Sequence, residues 1–398
     1  MNRIVALAAL SGVVSHALAR STFPILLPAI ESELLTSNSQ AGLLTTANFA
    51  AYLVGVAIVT TISGRVEPQR LLYSGMAIAG TGFALLAVAP GPWLLGAGQA
   101  LAGLGSAGIW MSAPVIATAA VPATRRGMTM GIISSTMGLG IIVASQGTNL
   151  IRVIQDDEDA WRPTWIAAAV FAVLLLATMA ALMRTPPTAS LSGGISLERL
   201  RTVPRWVPLA AGYWLFGLIV SSFTPFFGLA LDDAGFSRAH VGNLYALFGV
   251  AAVLGAVTLG RLSDRVGRRP VLVGALTAIS VASLLVITER EPFAAAAALL
   301  FGAASFTYPV LTVAYVSDHL QDRAFANALG ALTLVYGSAL IVGPVIGGVI
   351  GDSSLGFPAL FVAIAMTSAT GALVATRLAP ASSSPLALSE EPSKSVSG

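Results

Sequence analysis

Twelve apolar runs divide this chain, and each is about as long as a bilayer is thick. A helix needs roughly 20 apolar residues to cross a membrane. The runs do not alternate apolar with polar residues, which argues against barrel strands. They lie at residues 4–30, 40–62, 70–89, 92–119, 128–151, 162–183, 206–231, 240–260, 269–288, 292–316, 324–350 and 356–378. We therefore predict an all-α membrane protein with twelve transmembrane helices.

The composition agrees with a lipid environment. Charged residues make up 10% of the chain, whereas soluble domains carry about 25%. The lipid bilayer is therefore the expected main partner. The net charge of +3 arises from basic residues in short loops, which is a topology signal, so we expect no nucleic-acid partner. The chain has no cysteine and three scattered histidines, and we expect no cofactor, no metal and no enzyme activity.

The distribution of arginine and lysine predicts the orientation. With the N-terminus in the cytoplasm, sixteen of the 21 basic residues fall on cytoplasmic segments and four on external loops, and Arg20 lies within the first span. Cytoplasmic loops of membrane proteins carry such an excess. We expect a multi-pass protein of the cytoplasmic (inner) membrane with both termini in the cytoplasm.

The two halves of the chain repeat each other. A shift of 200 residues aligns Ser21 with Ser221, Gly42 with Gly242, Gly55 with Gly255, Arg65 with Arg265 and Pro92 with Pro292. This predicts two pseudo-symmetric six-helix halves, an arrangement typical of transporters with a site between the halves. We expect six-helix bundles at 1–183 and 206–379, a cytoplasmic linker at 184–205 and a disordered cytoplasmic tail at 380–398.

A charged stretch separates the eighth and ninth spans. It reads Gly-Arg-Leu-Ser-Asp-Arg-Val-Gly-Arg-Arg-Pro from Gly260 to Pro270. It resembles the G-x-L-x-D-R-x-G-R-R-P signature of the major facilitator superfamily at every position, and the resemblance covers nearly the whole chain. It implies a twelve-helix transporter with a central cavity lined by helices 1, 4, 7 and 10. The matching stretch from Ser63 to Arg70 is a degraded copy, with Gly64 in place of the aspartate.

This stretch is a candidate gate. Glycines permit a tight turn and close helix approach, and an aspartate can hold an arginine in one conformation and release it in another. The alternative is a charged loop that only fixes topology. The predicted gating residues are Gly260, Asp264, Arg265, Gly267, Arg268 and Arg269.

The first two spans also resemble a poorly characterised bacterial permease branch of the superfamily. The resemblance rests on the segments 19–23, 26–28, 40–42 and 46–52 and on Gly55. Drug–proton antiporters of the superfamily have a Gly-Pro motif in helix 5, and residues 138–147 here lack its proline. That departure argues against a direct assignment as a multidrug antiporter.

His16 and Arg20 are the candidate site residues within the first span. They are four residues apart, so they share a helix face. An arginine at this depth is costly against lipid and is expected to face the interior. It can bind an anionic substrate, or pair with Glu31, Asp232 or carbonyls freed by Pro24. His16 is either a proton carrier or a hydrogen-bonded structural residue.

Further polar and aromatic residues mark the expected cavity walls. Such residues also serve helix packing in membranes, and that alternative stays open for each. The candidates for substrate contact are Asn48, Gln99, Trp110, Gln146, Asn149, Trp214 and Tyr308.

These patterns favour a secondary active transporter that moves a small organic solute by alternating access. Every acidic residue can be assigned to a loop or helix end, so proton coupling, if present, has no mid-span carboxylate. We expect export by a monomer. Uptake of an organic anion bound by Arg20 is the main alternative, and a non-transporting membrane sensor is a remote one.

Overall fold

The computed structural model describes residues 3–62, 64–183 and 194–380, and this part of the chain contains helices and no strand. Twelve of the helices are long and apolar enough to cross a membrane, which confirms the predicted fold class. They are α1 (Arg3–Leu34), α2 (Asn38–Ile62), α3 (Pro68–Ala87), α4 (Pro92–Ala119), α5 (Arg126–Gln155), α6 (Trp161–Leu182), α7 (Trp206–Asp233), α8 (Arg238–Val266), α9 (Arg268–Val286), α10 (Glu291–Ser317), α11 (Arg323–Gly351) and α12 (Gly356–Ala375).

Helix α1 changes its winding in the middle of the span. Residues Val13–Ser21 form a π-helix, followed again by α-helix from Thr22. Pro24 has no N–H, so the preceding turn cannot complete its normal ladder. The carbonyl of Ala19, which would pair with residue 24 in a π-helical turn, instead accepts a hydrogen bond from the Asn48 side-chain amide at 3.0 Å. Such π-segments often occur at functional sites, and this one contains His16 and Arg20.

The two halves meet along seams that follow the internal repeat. Helix α2 packs on α11, and α5 packs on α8. Because a 200-residue shift carries α2 onto α8 and α5 onto α11, each seam is the symmetry copy of the other. Between the two seams, helices α1 and α7 also contact each other. The repeat read from the sequence is therefore present in the packing.

The bundle has two distinct ends. The loop end holds the connections 35–37, 88–91, 156–160, 234–237, 287–290 and 352–355. The termini end is the opposite end of the bundle and holds the remaining connections. There Tyr315 Oη donates a hydrogen bond to the carbonyl of Pro204 and accepts one from the backbone N–H of Ala379. At the loop end the halves pack closely: a β-carbon on Gly42 would strike Pro344, and one on Gly348 would strike Asn38.

The seams separate toward the termini end. In the α5–α8 seam, Gly138 packs on Val253 and Gly242 packs on Asn149. Continuing this antiparallel register toward the termini end places Gly131 opposite Gly260. A β-carbon on either glycine would have no neighbour within 4 Å. The structure is thus closed at the loop end and open at the termini end.

The charged stretch between α8 and α9 is more helical than the sequence suggested. Helix α8 continues through Val266 and α9 begins at Arg268. The prediction of a turn over Gly260–Pro270 was therefore wrong in extent, since only Gly267 lies between the helices. Gly267 has φ +90°, a conformation that costs a β-carbon-bearing residue strain.

The connection between the halves is partly described. A short helix, Leu197–Arg201, follows residues 194–196, and its Leu200 is buried. The backbone N–H of Gly194 donates to Asn327 Oδ1 on α11 at 2.7 Å. Residues 184–193 of the predicted linker and 381–398 of the predicted tail lie outside the described residues. The domain boundaries stay a prediction.

Candidate functional site

A cavity of about 150 Å³ lies between the two halves. Residues from eight helices line it, namely α1, α2, α4, α5, α7, α8, α10 and α11. Of the predicted substrate-contact residues, the lining includes His16, Arg20, Asn48 and Gln99. All four belong to the first half of the chain.

Arg20 brings a positive charge to this cavity, and no carboxylate of the described residues forms an ion pair with it. Its guanidinium carbon lies 3.9 Å from the ring centre of Tyr52, an arrangement that favours a cation. Its Nε and Nη2 atoms are buried and have no hydrogen-bond partner among the described residues. Leaving a buried charged donor unpaired costs about 1–3 kcal/mol or more. A ligand with an acceptor oxygen would relieve that cost.

The carboxylates proposed as structural partners for Arg20 are elsewhere. Glu31 lies close enough to Arg238 to interact with it electrostatically, and Glu33 in the same helix accepts a hydrogen bond from Arg162 at 2.8 Å. Asp232 pairs with Arg238 at 3.4 Å. Within the described part of the chain, Arg20 forms an ion pair neither with Glu31 nor with Asp232. The geometry therefore leaves the ligand-binding alternative open for Arg20.

His16 lies beside Arg20 in the π-helical segment and is 6% exposed. Its ring packs against that of Trp110 on α4 in a tilted arrangement, with the centroids 4.1 Å apart. Its Nδ1 atom is buried and unpaired among the described residues. Trp110 thus holds the imidazole in place from behind, and it does not itself line the cavity.

Asn48 and Gln99 differ in whether their side-chain amide nitrogens are already hydrogen-bonded. The Asn48 amide nitrogen donates to the Ala19 carbonyl at 3.0 Å and to Gln99 Oε1 at 3.1 Å. It therefore ties α2 to α1 and α4 next to Arg20. The Nε2 atom of Gln99 is buried and has no partner among the described residues. Gln99 is thus the better placed of the two to meet a ligand.

The other predicted contact residues do not line this cavity. Gln146 and Asn149 bond to Asn243 across the α5–α8 seam, both at 3.1 Å. Trp214 Nε1 donates to Ser338 at 3.2 Å. Tyr308 is buried, with its ring 4.6 Å from that of Phe216. In this conformation these four side chains pack helices together.

Sequence reasoning missed the apolar walls. Phe49, Met137, Phe248, Phe306 and Tyr336 line the cavity from α2, α5, α8, α10 and α11. The resemblance implies a cavity lined by helices 1, 4, 7 and 10, and apolar residues stand out little in a chain that is 56% hydrophobic. The position of the helices could have indicated these walls, because α2, α5, α8 and α11 form the seams between the halves.

Two contacts at the loop end join opposite halves. Asp352 accepts hydrogen bonds from the backbone N–H groups of Asn38 and Ser39, at 2.6 and 2.9 Å. It therefore caps the N-terminus of α2 from the other half. Burial raises the pKa of this carboxyl, but the hydrogen bonds with Ser39 and Asn38 outweigh burial and hold the pKa below its ordinary value.

Arg152 is the counterpart of Asp352 under the 200-residue shift. It is 4% exposed and donates to the carbonyl of Arg238 at 2.9 Å, in the first turn of α8. Arg238 itself bonds Ser32 Oγ at 3.0 Å and pairs with Asp159. One seam is thus closed by a carboxylate and the other by a guanidinium, at equivalent positions.

The candidate gate forms an ionic cluster within the second half. Arg268 pairs with Asp264 at 2.5 Å and with Asp318 at 3.3 Å. It also donates to Ser263 Oγ at 2.7 Å. The cluster joins α8, α9 and the end of α10. Gating by this cluster stays a prediction, as do the roles of Arg265 and Arg269.

The described residues hold no group of three His, Asp or Glu side chains that could bind a metal ion. Twelve spanning helices, two repeated halves and a cavity between them define a multi-pass transporter of the major facilitator superfamily type. The chain belongs to the family described as "Uncharacterised MFS-type transporter YbfB", whose profile matches residues 13–379.

Similar proteins agree with this assignment. The chain is 23% identical over 340 residues to the uncharacterized MFS-type transporter YcaD of Escherichia coli, covering 84% of this chain and 86% of that protein. A bacterial homolog of the human lysosomal transporter Spinster, inward-facing and occupied, matches with a TM-score of 0.74 and 17% identity, over 95% of this chain and 98% of its own. A variant of the nucleoside transporter NupG matches with a TM-score of 0.79 and 11% identity, over 94% and 99%.

Proposed function

We propose that this membrane transporter is a secondary carrier that exports a small organic anion, with Arg20 as the binding charge. The observation that carries this proposal is the half-buried Arg20 on the wall of the central cavity, whose Nε and Nη2 atoms are buried and have no partner among the described residues. Among the described lining residues there is no aspartate or glutamate. A cation would meet repulsion in such a cavity, whereas an anion would find the charge and donors that it needs.

The direction of transport follows from the net charge that each transport cycle moves across the membrane. The empty cavity carries the charge of Arg20, and the loaded cavity is neutral, so each cycle transfers the charge of the anion. A cytoplasm-negative membrane potential drives an anion outward by about 2.3 kcal/mol per charge at 100 mV. Export therefore needs no proton-coupling carboxylate. Uptake of the same anion would need a co-transported cation, and His16 is the candidate proton carrier for that alternative.

The two ends of the bundle support alternating access. The loop end is closed by contacts between the halves, and the termini end is open between Gly131 and Gly260. With both termini in the cytoplasm, as the arginine distribution predicts, this conformation faces inward. The similar Spinster homolog is also described as inward-facing. In the outward-facing state the loop-end contacts would break and the two glycines would approach.

The test is transport by purified protein in proteoliposomes with four classes of labelled solute. These are an organic anion, a cation, a sugar and a zwitterion. We expect movement of the anion alone, and at least a tenfold lower rate in Arg20→Gln. The matched control is Arg290→Gln, which removes an exposed arginine at the loop end and should leave the rate unchanged. Equal anion transport in Arg20→Gln, or transport of cations instead, would overturn the proposal.

A further inference from the structure

We infer that the transported anion carries a single negative charge on one compact apolar body, about the size of a six-membered ring. This inference rests on the proposed function, since it specifies the substrate of the same cavity. It comes from the way charge, apolar surface and volume are divided between the two halves of the protein.

The unpaired polar groups of the cavity lie on the first half, whereas apolar side chains line it from both halves. His16, Arg20 and Gln99 project from the first half, and each has a buried nitrogen without a partner among the described residues. The facing wall of the second half is mainly apolar, with Val220, Phe248, Phe306, Pro309 and Leu340. Of its hydroxyls, that of Ser305 already donates to Gly302 of its own helix at 3.3 Å. A ligand that fills the cavity therefore meets one charged group on the first half and mainly hydrocarbon over the rest of its surface.

The charge balance selects a monoanion. One arginine faces the cavity, and the described lining residues include no carboxylate. A second negative charge would be buried against the apolar wall without a counter-charge, which is strongly unfavourable. The ammonium group of a zwitterion would be left unpaired and would lie near Arg20. Both classes are thus disfavoured relative to a monoanion.

The volume is sufficient for one apolar ring. The cavity measures about 150 Å³, and a dry apolar cavity of that size in a protein accommodates a benzene molecule. One ring, or a branched chain of similar bulk, therefore fills the space beside the second half. The acidic group then reaches Arg20 on the first half.

This division gives the apolar body a role in transport. An anion without one, such as a short-chain acid, would contact only the first half. A ligand that contacts both halves stabilises the arrangement in which they close around it, and differential affinity of this kind shifts a conformational equilibrium. The aromatic wall therefore determines which anions are carried, while Arg20 determines that they are anions.

Calorimetric titration of the purified full-length protein tests the inference. The probes are benzenesulfonate, methanesulfonate, benzene-1,3-disulfonate and benzylammonium. Because a phenyl ring buries much more apolar surface than a methyl group does, we expect benzenesulfonate to bind at least tenfold more tightly than methanesulfonate. We expect weaker binding of the dianion and none of the cation.

The contrary results separate a failure of the inferred substrate shape from a failure of the organic-anion proposal. If methanesulfonate or the dianion binds as well as benzenesulfonate, the inferred substrate shape is wrong while the organic-anion proposal stands. If no anion binds, or if the cation binds best, both are wrong.

A second measurement tests the wall itself. Phe306→Ala, or Phe306→Leu if the first variant is unstable, enlarges the cavity on the second half. The affinity ratio of naphthalene-2-sulfonate to benzenesulfonate should rise at least fivefold in this variant. Phe171→Ala, at a 36% exposed position on α6 away from the cavity, is the matched control and should leave the ratio unchanged. An unchanged ratio in the Phe306 variants would overturn the assignment of this wall.

Discussion

Arg20 shows how a single residue can be recognised in a sequence while its surroundings cannot. Its presence within an apolar span predicts a side chain that faces the interior of the helix bundle, because a lipid-facing arginine is too costly. The sequence leaves its partner open between a ligand and the carboxylates near the mouth. The structure pairs Glu33 and Asp232 with other arginines and places Tyr52 under the guanidinium. Those choices depend on contacts between distant helices.

Tyr52 should hold Arg20 in its binding position. A desolvated cation–π contact is worth about 0.5–2 kcal/mol, so Tyr52→Leu should weaken anion binding by about 3- to 30-fold. Tyr52→Phe keeps the ring and should bind within about twofold of the original protein. Titration with benzenesulfonate measures both. Equal affinities in the Leu and Phe variants would show that the ring does not support Arg20.

His16 should not be needed for coupling if the membrane potential drives export. We expect the response of transport to an imposed pH gradient in His16→Gln to stay within about twofold of that of the unmodified protein, because this export moves no proton. Glutamine preserves a polar group beside Trp110. Labelled benzenesulfonate flux at several external pH values measures this in proteoliposomes. Loss of the pH response, with exchange of labelled for unlabelled anion intact, would instead assign the coupling proton to His16.

The predicted contact residues that lie outside the cavity share a cause. Gln146, Asn149 and Trp214 are polar or amphipathic residues within spans, which is the same signal that Gln99 gives. Polar groups within spans also bond one helix to another, and Gln146 and Asn149 do so across the α5–α8 seam. Helix periodicity gives the face of a residue but not which neighbour that face meets.

At the scale of helices, length and hydropathy predicted all twelve spans, but not their winding or ends. Helix α1 includes the π-helical Val13–Ser21, and α8 runs six residues further than expected, to Val266. Pro24 explains part of the first departure, because it interrupts the hydrogen-bond ladder. The i,i+4 pair of Asp264 with Arg268 and the φ of Gly267 explain the second.

The cap that Asp352 places on α2 should stabilise the closed loop end. A capping side chain is worth about 0.5–1 kcal/mol at an exposed position, so Asp352→Ala should raise the population open at that end about two- to fivefold. Spin labels at Ser37→Cys and Ser353→Cys, on opposite halves, measure the distance. Asp352→Asn retains a capping oxygen and is the matched control. An unchanged distance distribution in the alanine variant would contradict this role.

The same contact predicts a pH effect of defined sign. Since the pKa of Asp352 is lowered in this conformation, the contact favours the closed loop end above the ordinary aspartate pKa of about 3.9. That contribution is lost as the pH falls through the lowered pKa. Acidification below about pH 4 should therefore shift the Ser37–Ser353 label distances toward those of Asp352→Ala, and Asp352→Asn should not show this shift.

Gly131 and Gly260 should matter in the state that this structure does not show. A larger side chain fits at either position here, because no neighbour lies within 4 Å of a β-carbon. Leucine at both positions should keep benzenesulfonate affinity within about twofold and reduce transport at least tenfold, since it blocks closure of the termini end. Gly147→Leu, in open space elsewhere on α5, should affect neither property. Normal transport by the double variant would show that these helices do not approach.

At the scale of the whole molecule, the sequence repeat carried more information than any single motif. It predicted two halves, and the packing of α2 on α11 and of α5 on α8 follows the same symmetry. It did not predict that the halves would differ in chemistry. Arg152 and Asp352 occupy equivalent positions with opposite charges, and the unpaired donors of the cavity lie on one half only. Such differences arise where a repeated sequence has diverged, and alignment of the halves reports what they share.

The most direct test of the account is the flux of labelled benzenesulfonate from proteoliposomes under a controlled potassium diffusion potential. The sulfonate stays ionised, so it does not leak through the bilayer as a neutral acid. We predict that an inside-negative potential accelerates its exit through the unmodified protein, and that Arg20→Gln reduces the exit to that of protein-free liposomes. Exit that is insensitive to the potential, or equally fast with Arg20→Gln, would contradict the account.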